Sequence, residues 1–174
     1  SVPESVLFLL GGQEPLEGNL RREAQARGID PQRILFGARL PAPEYLARYR
    51  TADLFLDTLP YNAGTTASDA LWAGLPVLTC TGETFAGRVG ASLLQAVGLP
   101  ELITFTREQY ERLAVELACQ PQSLSKLRAK LADNLRTAPL FDTRAFARHL
   151  EEAYERMRER CLAGLPPEHI RVET

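Results

Sequence analysis

The chain has 174 residues, 45% of them hydrophobic and 24% charged, and its 20 basic and 22 acidic side chains nearly cancel to a formal net charge of −2. That length suits one compact domain burying about 70% of the surface its unfolded chain exposes. The balanced charge removes any electrostatic basis for binding nucleic acid or an anionic membrane. No apolar run reaches the roughly 20 residues needed to span a bilayer, and the start, "SVPESVLFLL", has neither the basic stretch nor the cleavage site of a secretion signal.

"SVLFLL" (Ser5–Leu10) followed by "GGQ" predicts a buried strand and a loop. Pro15 suits a first helical position, Leu16, Leu20 and Ala24 recur every four residues, and Gly28 can cap the end. "RILFG" (Arg33–Gly37) predicts a second strand, "APEYLARYR" a short helix and "LFLD" (Leu54–Asp57) a third strand. The helix "TASDALWA" follows, with Gly74 as an αL cap and Pro76 barring continuation, and "PVLTC" (Pro76–Cys80) makes a fourth strand. "ETFAGRVGASLLQAVG" predicts a helix closed by Gly98, before the strand "ELIT". Thr106 and Gln109 form a capping-box pattern ahead of a face made by Tyr110, Leu113, Ala114, Leu117 and Ala118. Leu124, Leu127, Leu131 and Leu135 mark another helix, Pro139 interrupts, and a last helix runs from about Thr143 to Leu162 with Phe146, Leu150, Tyr154, Met157 and Cys161 on its inner side. Alternating apolar strands and amphipathic helices imply an α/β fold, a parallel sheet with helices on both faces, with carboxy-terminal helices appended. Neither a repeat nor a linker divides residues 1–174, which read as a single domain whose 106–163 portion is helical.

In such sheets ligands bind beyond the carboxyl ends of the strands. "LPYNAGTTASDALWAGLPV" (Leu59–Val77) crosses that edge. Gly64 lets the backbone bend and approach a ligand, the first helical turn offers free N–H groups and a positive dipole end, and Thr65 and Thr66 add hydroxyls: a diphosphate cradle. A structural alternative stands beside it, because Thr66 and Asp69 also fit a capping box. A carboxylate would repel phosphate, so Asp69 suits capping or a sugar hydroxyl. Trp72, the single tryptophan, reads as a core or interdomain residue. In "GETFAGRVGA", Glu83 and Arg88 can pair, while Ala86, Gly87, Gly90 and Ala91 leave a nearly bare helix face for tight packing or for closure on another lobe. The three cysteines (Cys80, Cys119, Cys161) have no C-x-x-C spacing and read as reduced, buried thiols. His149 and His169 lack partners at metal-ligand or general-base spacing.

The run "ADLFLDTLPYNAGTTASDALWAGLPVLTCTGETFAGRVGASLL", with "GLPELI" and "APLFDTRAFARHLEEAYERM" after it, resembles the donor-binding half of the O-GlcNAc transferase family, GT-B-fold enzymes that attach N-acetylglucosamine to serine and threonine. The resemblance implies one Rossmann-like lobe of a GT-B fold, UDP-N-acetylglucosamine as donor, inversion, and no metal or other cofactor, while the reduced cysteines point to a cytoplasmic setting. It places the diphosphate at Thr65 and Thr66, the ribose side at Asp69, the uracil at the backbone of Leu40 and the nucleotide near Arg48. Asn62 and Gly64 complete the binding set, and no residue of this chain is assigned a catalytic role. A solvated helix face is the alternative for Arg48. It also implies a carboxy-terminal portion of a longer protein, with the lobe that binds the serine/threonine acceptor and tetratricopeptide repeats upstream. The fragment alone is then expected to be inactive and able to form a homodimer. The sequence departs from the family at Gly64, where a histidine is expected, and at Ala42 and Tyr45, where a lysine and a histidine are expected. Those changes remove charge and imidazole donors but leave the backbone and threonines of the cradle. The alternatives are a transferase for another nucleotide sugar and a non-catalytic module that senses a nucleotide or binds a partner.

Overall fold

The computed structural model describes residues 2–12 and 14–172. Ser1, at the start read for a secretion signal, and Gln13 of the "GGQ" loop lie outside the described residues, as do residues 173 and 174. Strands and helices alternate as β1 (Leu7–Leu10), α1 (Leu16–Ala26), β2 (Ile34–Gly37), α2 (Ala42–Tyr49), β3 (Phe55–Leu56), α3 (Thr65–Trp72), β4 (Val77–Cys80), α4 (Val89–Ala96) and β5 (Ile103–Thr104). Three helices close the chain: α5 (Arg107–Cys119), α6 (Pro121–Asn134) and α7 (Thr143–Leu162). Every strand pairing is parallel. The ladders form two groups, β1–β2 in register Leu7 to Ile34, and β3–β4–β5 with Phe55 opposite Val77 and Thr79 opposite Ile103.

The core surrounds β4. All four of its residues are buried, as a strand paired on both edges and covered on both faces must be. Leu71 of α3, Leu94 of α4, Leu131 of α6, and Leu75, Leu99 and Leu102 between elements are fully buried with Leu78, each contributing about 1.5–3 kcal/mol relative to exposure. The helices stop where the sequence says they must. Gly74 takes φ +85° after α3, while Leu75 N–H returns to the Ala70 carbonyl at 2.9 Å. Gly98 takes φ +75° after α4, and Asn134 Nδ2 reaches over from α6 to donate to the Val97 carbonyl at 2.8 Å. Thr106 Oγ1 accepts from Gln109 N–H at 3.2 Å and the Gln109 side chain accepts from Phe105 N–H at 2.9 Å, so the capping pair at α5 forms.

Several expectations need correction. The first strand is not buried: Leu7, Phe8 and Leu10 are exposed, because among the described residues β1 pairs with β2 on one edge and carries little above its faces. Its aromatic neighbours are met by cations instead, Arg48 over Phe8 and Arg21 over Phe36. The helix expected from Glu83 begins only at Val89, after a 3-10 turn over Ala86–Arg88. Of the cysteines only Cys80 is buried. Trp72 is not in the core. It is 57% exposed and meets Phe141 edge-on at 5.0 Å. The apolar stripe of α7 is not an inner side either, since Phe146, Leu150, Tyr154, Met157 and Cys161 are exposed and Ala145 alone is buried on that helix.

Candidate functional site at the start of α3

β3 ends at Leu56, and Asp57 to Ala63 carry the chain over the carboxyl edge of the sheet to α3. Bonds from Asp57 and Asn62 hold this segment. Asp57 Oδ1 accepts from Thr58 N–H at 2.8 Å and Ala63 N–H at 2.6 Å, tying its two ends together. Asn62, 1% exposed, donates through Nδ2 to the Thr58 carbonyl at 3.0 Å, and its N–H reaches the Ala86 carbonyl at 3.0 Å. The loop after β4 is thereby fastened to the loop after β3. The Asn62 Oδ1 is buried without a partner among the described residues.

The helix then begins earlier than a Thr66 cap would allow. Gly64 occupies the N-cap position, no side chain caps the helix, and the first intrahelical bond joins Ser68 N–H to the Gly64 carbonyl at 3.0 Å. Thr66 is therefore inside the first turn, and the capping-box reading of Thr66 with Asp69 does not hold. The amides of Thr65, Thr66 and Ala67 precede that first bond and have no intrahelical acceptor. Thr65 and Thr66 are exposed and Asp69 is half-buried one turn later. Ala67 is buried, so the exposed part of this helix start is Thr65 and Thr66, whose amides and hydroxyls lie at the positive end of the helix dipole, an arrangement that attracts an anion. A Cβ on Gly64 would meet only Val89 Cγ1 at 3.8 Å. Its bareness leaves space beside the amides.

The other predicted residues come from neighbouring elements. Leu40, 39% exposed, lies on the segment after β2. Arg48 is not a free solvated side chain: it donates to the Ala38 carbonyl at 2.7 Å and stacks over Phe8, bracing that same segment. Asn62, Gly64, Thr65, Thr66 and Asp69 are brought together at the start of α3, while Leu40 and Arg48 flank them beyond β2. Two features were missed in the sequence. Tyr45 and Tyr49 share a hydroxyl contact of 2.5 Å, and Tyr49 donates at 3.3 Å to the Thr66 carbonyl, linking α2 to α3. Burial, then the bond to Tyr45, raises the Tyr49 pKa well above the ordinary tyrosine range, so it remains a donor. Thr79, buried in β4, donates to Asp57 Oδ2 at 2.6 Å. The i, i+4 spacing of the tyrosines was a legible signal; the Thr79 partnership spans 22 residues and was not.

In "GETFAGRVGA" the tight-packing reading fits the geometry. A Cβ on Gly87 would lie 3.2 Å from the Pro60 carbonyl oxygen, and Gly90 is closer still to its neighbours. Arg88 bonds the Glu83 carbonyl at 3.0 Å, not its carboxylate. A depression of about 290 Å³, lined by Leu46, Arg50 and Trp72, lies at the opposite end of α3. Among the described residues no three of His, Cys, Asp or Glu are grouped as a metal site would require, and no helix is long and apolar enough to cross a membrane.

In a parallel α/β domain the carboxyl edge of the strands, where this helix starts, is where open sheets of this kind bind ligands. Comparison with known proteins specifies the family. The glycosyl transferase family 41 model matches residues 1–150, so the chain belongs to that family. It is 36% identical over 174 residues to a UDP-N-acetylglucosamine–peptide N-acetylglucosaminyltransferase of Caenorhabditis elegans, covering all of this chain and 15% of that protein. It is 38% identical over 172 residues to the probable UDP-N-acetylglucosamine–peptide N-acetylglucosaminyltransferase SEC of Arabidopsis thaliana, covering 98% of this chain and 18% of that one. Among solved structures, a mutant O-GlcNAc transferase of Thermobaculum terrenum superposes with a TM-score of 0.86 at 37% identity, over 93% of this chain and 32% of the other. The chain therefore spans less than a fifth of those two curated relatives and a third of the solved one, with which it shares its fold.

Proposed function

We propose that this chain is the UDP-sugar-binding half of a protein O-linked N-acetylglucosaminyltransferase, working in a cytoplasmic setting with an acceptor-binding lobe that presents serine or threonine. One observation carries the assignment to this site: the uncapped start of α3, where the amides of the exposed Thr65 and Thr66 have no intrahelical acceptor and lie beside the two threonine hydroxyls. Charge builds on the UDP leaving group as the glycosidic bond breaks, and fixed N–H groups and a helix dipole stabilise it without reorganising at that moment. Leu40 supplies backbone groups for the base, Asp69 a carboxylate for the ribose, and Arg48 holds the segment that bears Leu40. Membership in family 41 and the names of the relatives support the donor and the reaction.

A different nucleotide sugar is the second reading, favoured by Gly64, Ala42 and Tyr45 in place of the expected basic and imidazole groups, and by the engagement of the Tyr45 hydroxyl with Tyr49.

Amide shift mapping with UDP tests the site, and calorimetry with other nucleotides and their sugars tests the donor. Perturbations should centre on residues 62–69. Because Gly64 is the N-cap, Thr65→Val with Thr66→Val should leave stability nearly unchanged while weakening UDP binding by about 1–3 kcal/mol. Shifts confined to α5, α6 and α7, or undiminished affinity in the double variant, would sink the assignment.

A further inference from the structure

Asp57 has no part in the donor contacts described above, yet it is the most heavily engaged carboxylate near them. It is 4% exposed. Oδ1 accepts from Thr58 N–H and Ala63 N–H, Oδ2 accepts from the Thr79 hydroxyl at 2.6 Å, and its backbone carbonyl accepts from Tyr110 of α5 at 2.9 Å. Burial, aided by the Asp57 charge, raises the Tyr110 pKa above the ordinary range and keeps that phenol a donor. On the remaining side α4 presents a glycine: a Cβ on Gly90 would lie 2.5 Å from Asp57 Oδ2 and 2.6 Å from Thr79 Oγ1.

A buried carboxyl group is tolerated only when its oxygens are paired. A chain that needed only a turn could make one from backbone bonds, without a desolvated acid. What these bonds accomplish is specific. Ala63 immediately precedes the N-cap Gly64, so fixing its amide fixes where α3 begins and where the amides of Thr65 and Thr66 point. Thr79, in the central strand of the three-stranded sheet, anchors the other oxygen to the most deeply buried part of the molecule.

We propose that Asp57 is the positioning residue of the donor site, a clamp that aims the first-turn amides of α3 at the diphosphate. The inference rests on the donor reading above, and its test separates the two. Asp57→Ala removes every side-chain bond. Asp57→Asn retains Oδ1 and lets the Thr79 hydroxyl turn to accept, so it keeps the fold if the alanine variant does not. Thr79→Val releases Oδ2 alone, and Thr79→Ser should restore it.

Amide hydrogen exchange and calorimetry are measured on the same samples, with UDP and with uridine, which lacks the diphosphate. In Asp57→Ala, exchange at Ala63 should quicken about tenfold or more as its bond is lost. UDP affinity should fall about tenfold while uridine affinity stays unchanged, with Asp57→Asn and Thr79→Val intermediate. General loosening would instead lower both affinities together and expose the amides of Leu71 and Leu131. That result, or UDP affinity unchanged with Ala63 released, overturns the proposal. If the wild-type chain binds no UDP, the donor reading fails, and unaltered exchange at Ala63 in Asp57→Ala would overturn the clamp separately.

Discussion

Gly90→Ala adds one methyl group at a site with no room for it. The new Cβ would stand 2.5 Å from Asp57 Oδ2, 2.6 Å from Thr79 Oγ1 and 3.0 Å from Thr79 Cβ. None of these atoms is the free end of a flexible surface chain: Asp57 and Thr79 are 4% and 0% exposed and bonded to each other at 2.6 Å. Either α4 shifts away from β4 or the Asp57–Thr79 bond breaks. Overpacking of this kind costs about 1–3 kcal/mol. Losing a bond to a carboxylate adds about 1.5–3 kcal/mol. Alanine returns about 1 kcal/mol of helix propensity. Where the bond breaks, a net loss of roughly 1.5–5 kcal/mol follows, which for a domain of this size lowers Tm by roughly 3–20 °C. Gly64→Ala is the control, because its Cβ would meet only Val89 Cγ1 at 3.8 Å, and it should lose no more than the roughly 1 kcal/mol that alanine costs at an N-cap. Thermal unfolding followed by circular dichroism decides. A Gly90→Ala variant as stable as wild type, or a Gly64→Ala variant equally damaged, would refute the packing argument.

Asp142 caps α7 by accepting from Arg144 N–H at 3.1 Å and Ala145 N–H at 2.9 Å, and the Ala145 bond is the chief cause of its pKa lying below the ordinary aspartate value. A depressed native pKa stabilises above the unfolded value and loses that contribution as pH falls through the native one. The stability gap between wild type and Asp142→Ala should thus be constant above about pH 5 and shrink below about pH 4 in urea titrations; a gap that widens in acid would contradict the assignment. The uncovered side chains of α7 should drive the 174-residue chain to associate at high concentration. Phe146→Ser with Met157→Ser should return it to monomer in sedimentation velocity, and dimers that persist would place the interface elsewhere.

The sequence pattern located almost every helix and strand because periodicity and terminators are local. α7 falls on the expected Thr143–Leu162, and the positive-φ glycines at 28, 74 and 98 sit where helices were expected to end. What periodicity cannot provide is the other half of each contact. Leu7, Phe8 and Leu10 are as apolar as Leu78, yet their strand is exposed and that of Leu78 is enclosed. The α7 stripe likewise records that a face is apolar without recording what lies against it. Trp72 shows the same limit, since its size suggested a core or interdomain position and it stands exposed, edge-on to Phe141, which itself packs against the core.

The site divided along the same line. "NAGTT" between a strand and a helix announced a helix start at the carboxyl edge, and the bare amides are there. The S/T-x-x-D pattern pointed one turn too far because it is read from two side chains, whereas the chain was already committed to α3 at Gly64. That commitment comes from Asp57, seen in the sequence only as the acid ending an apolar run. Its partners lie 1, 6 and 22 residues away, two on the loop before α3 and one on β4, a spacing that matches no local period. The exact start of α3 is therefore set by tertiary contacts, while its chemistry is set by local sequence. Substituting the threonines and substituting the clamp should accordingly damage the same binding event by separable routes, one removing donors and the other misdirecting those that remain.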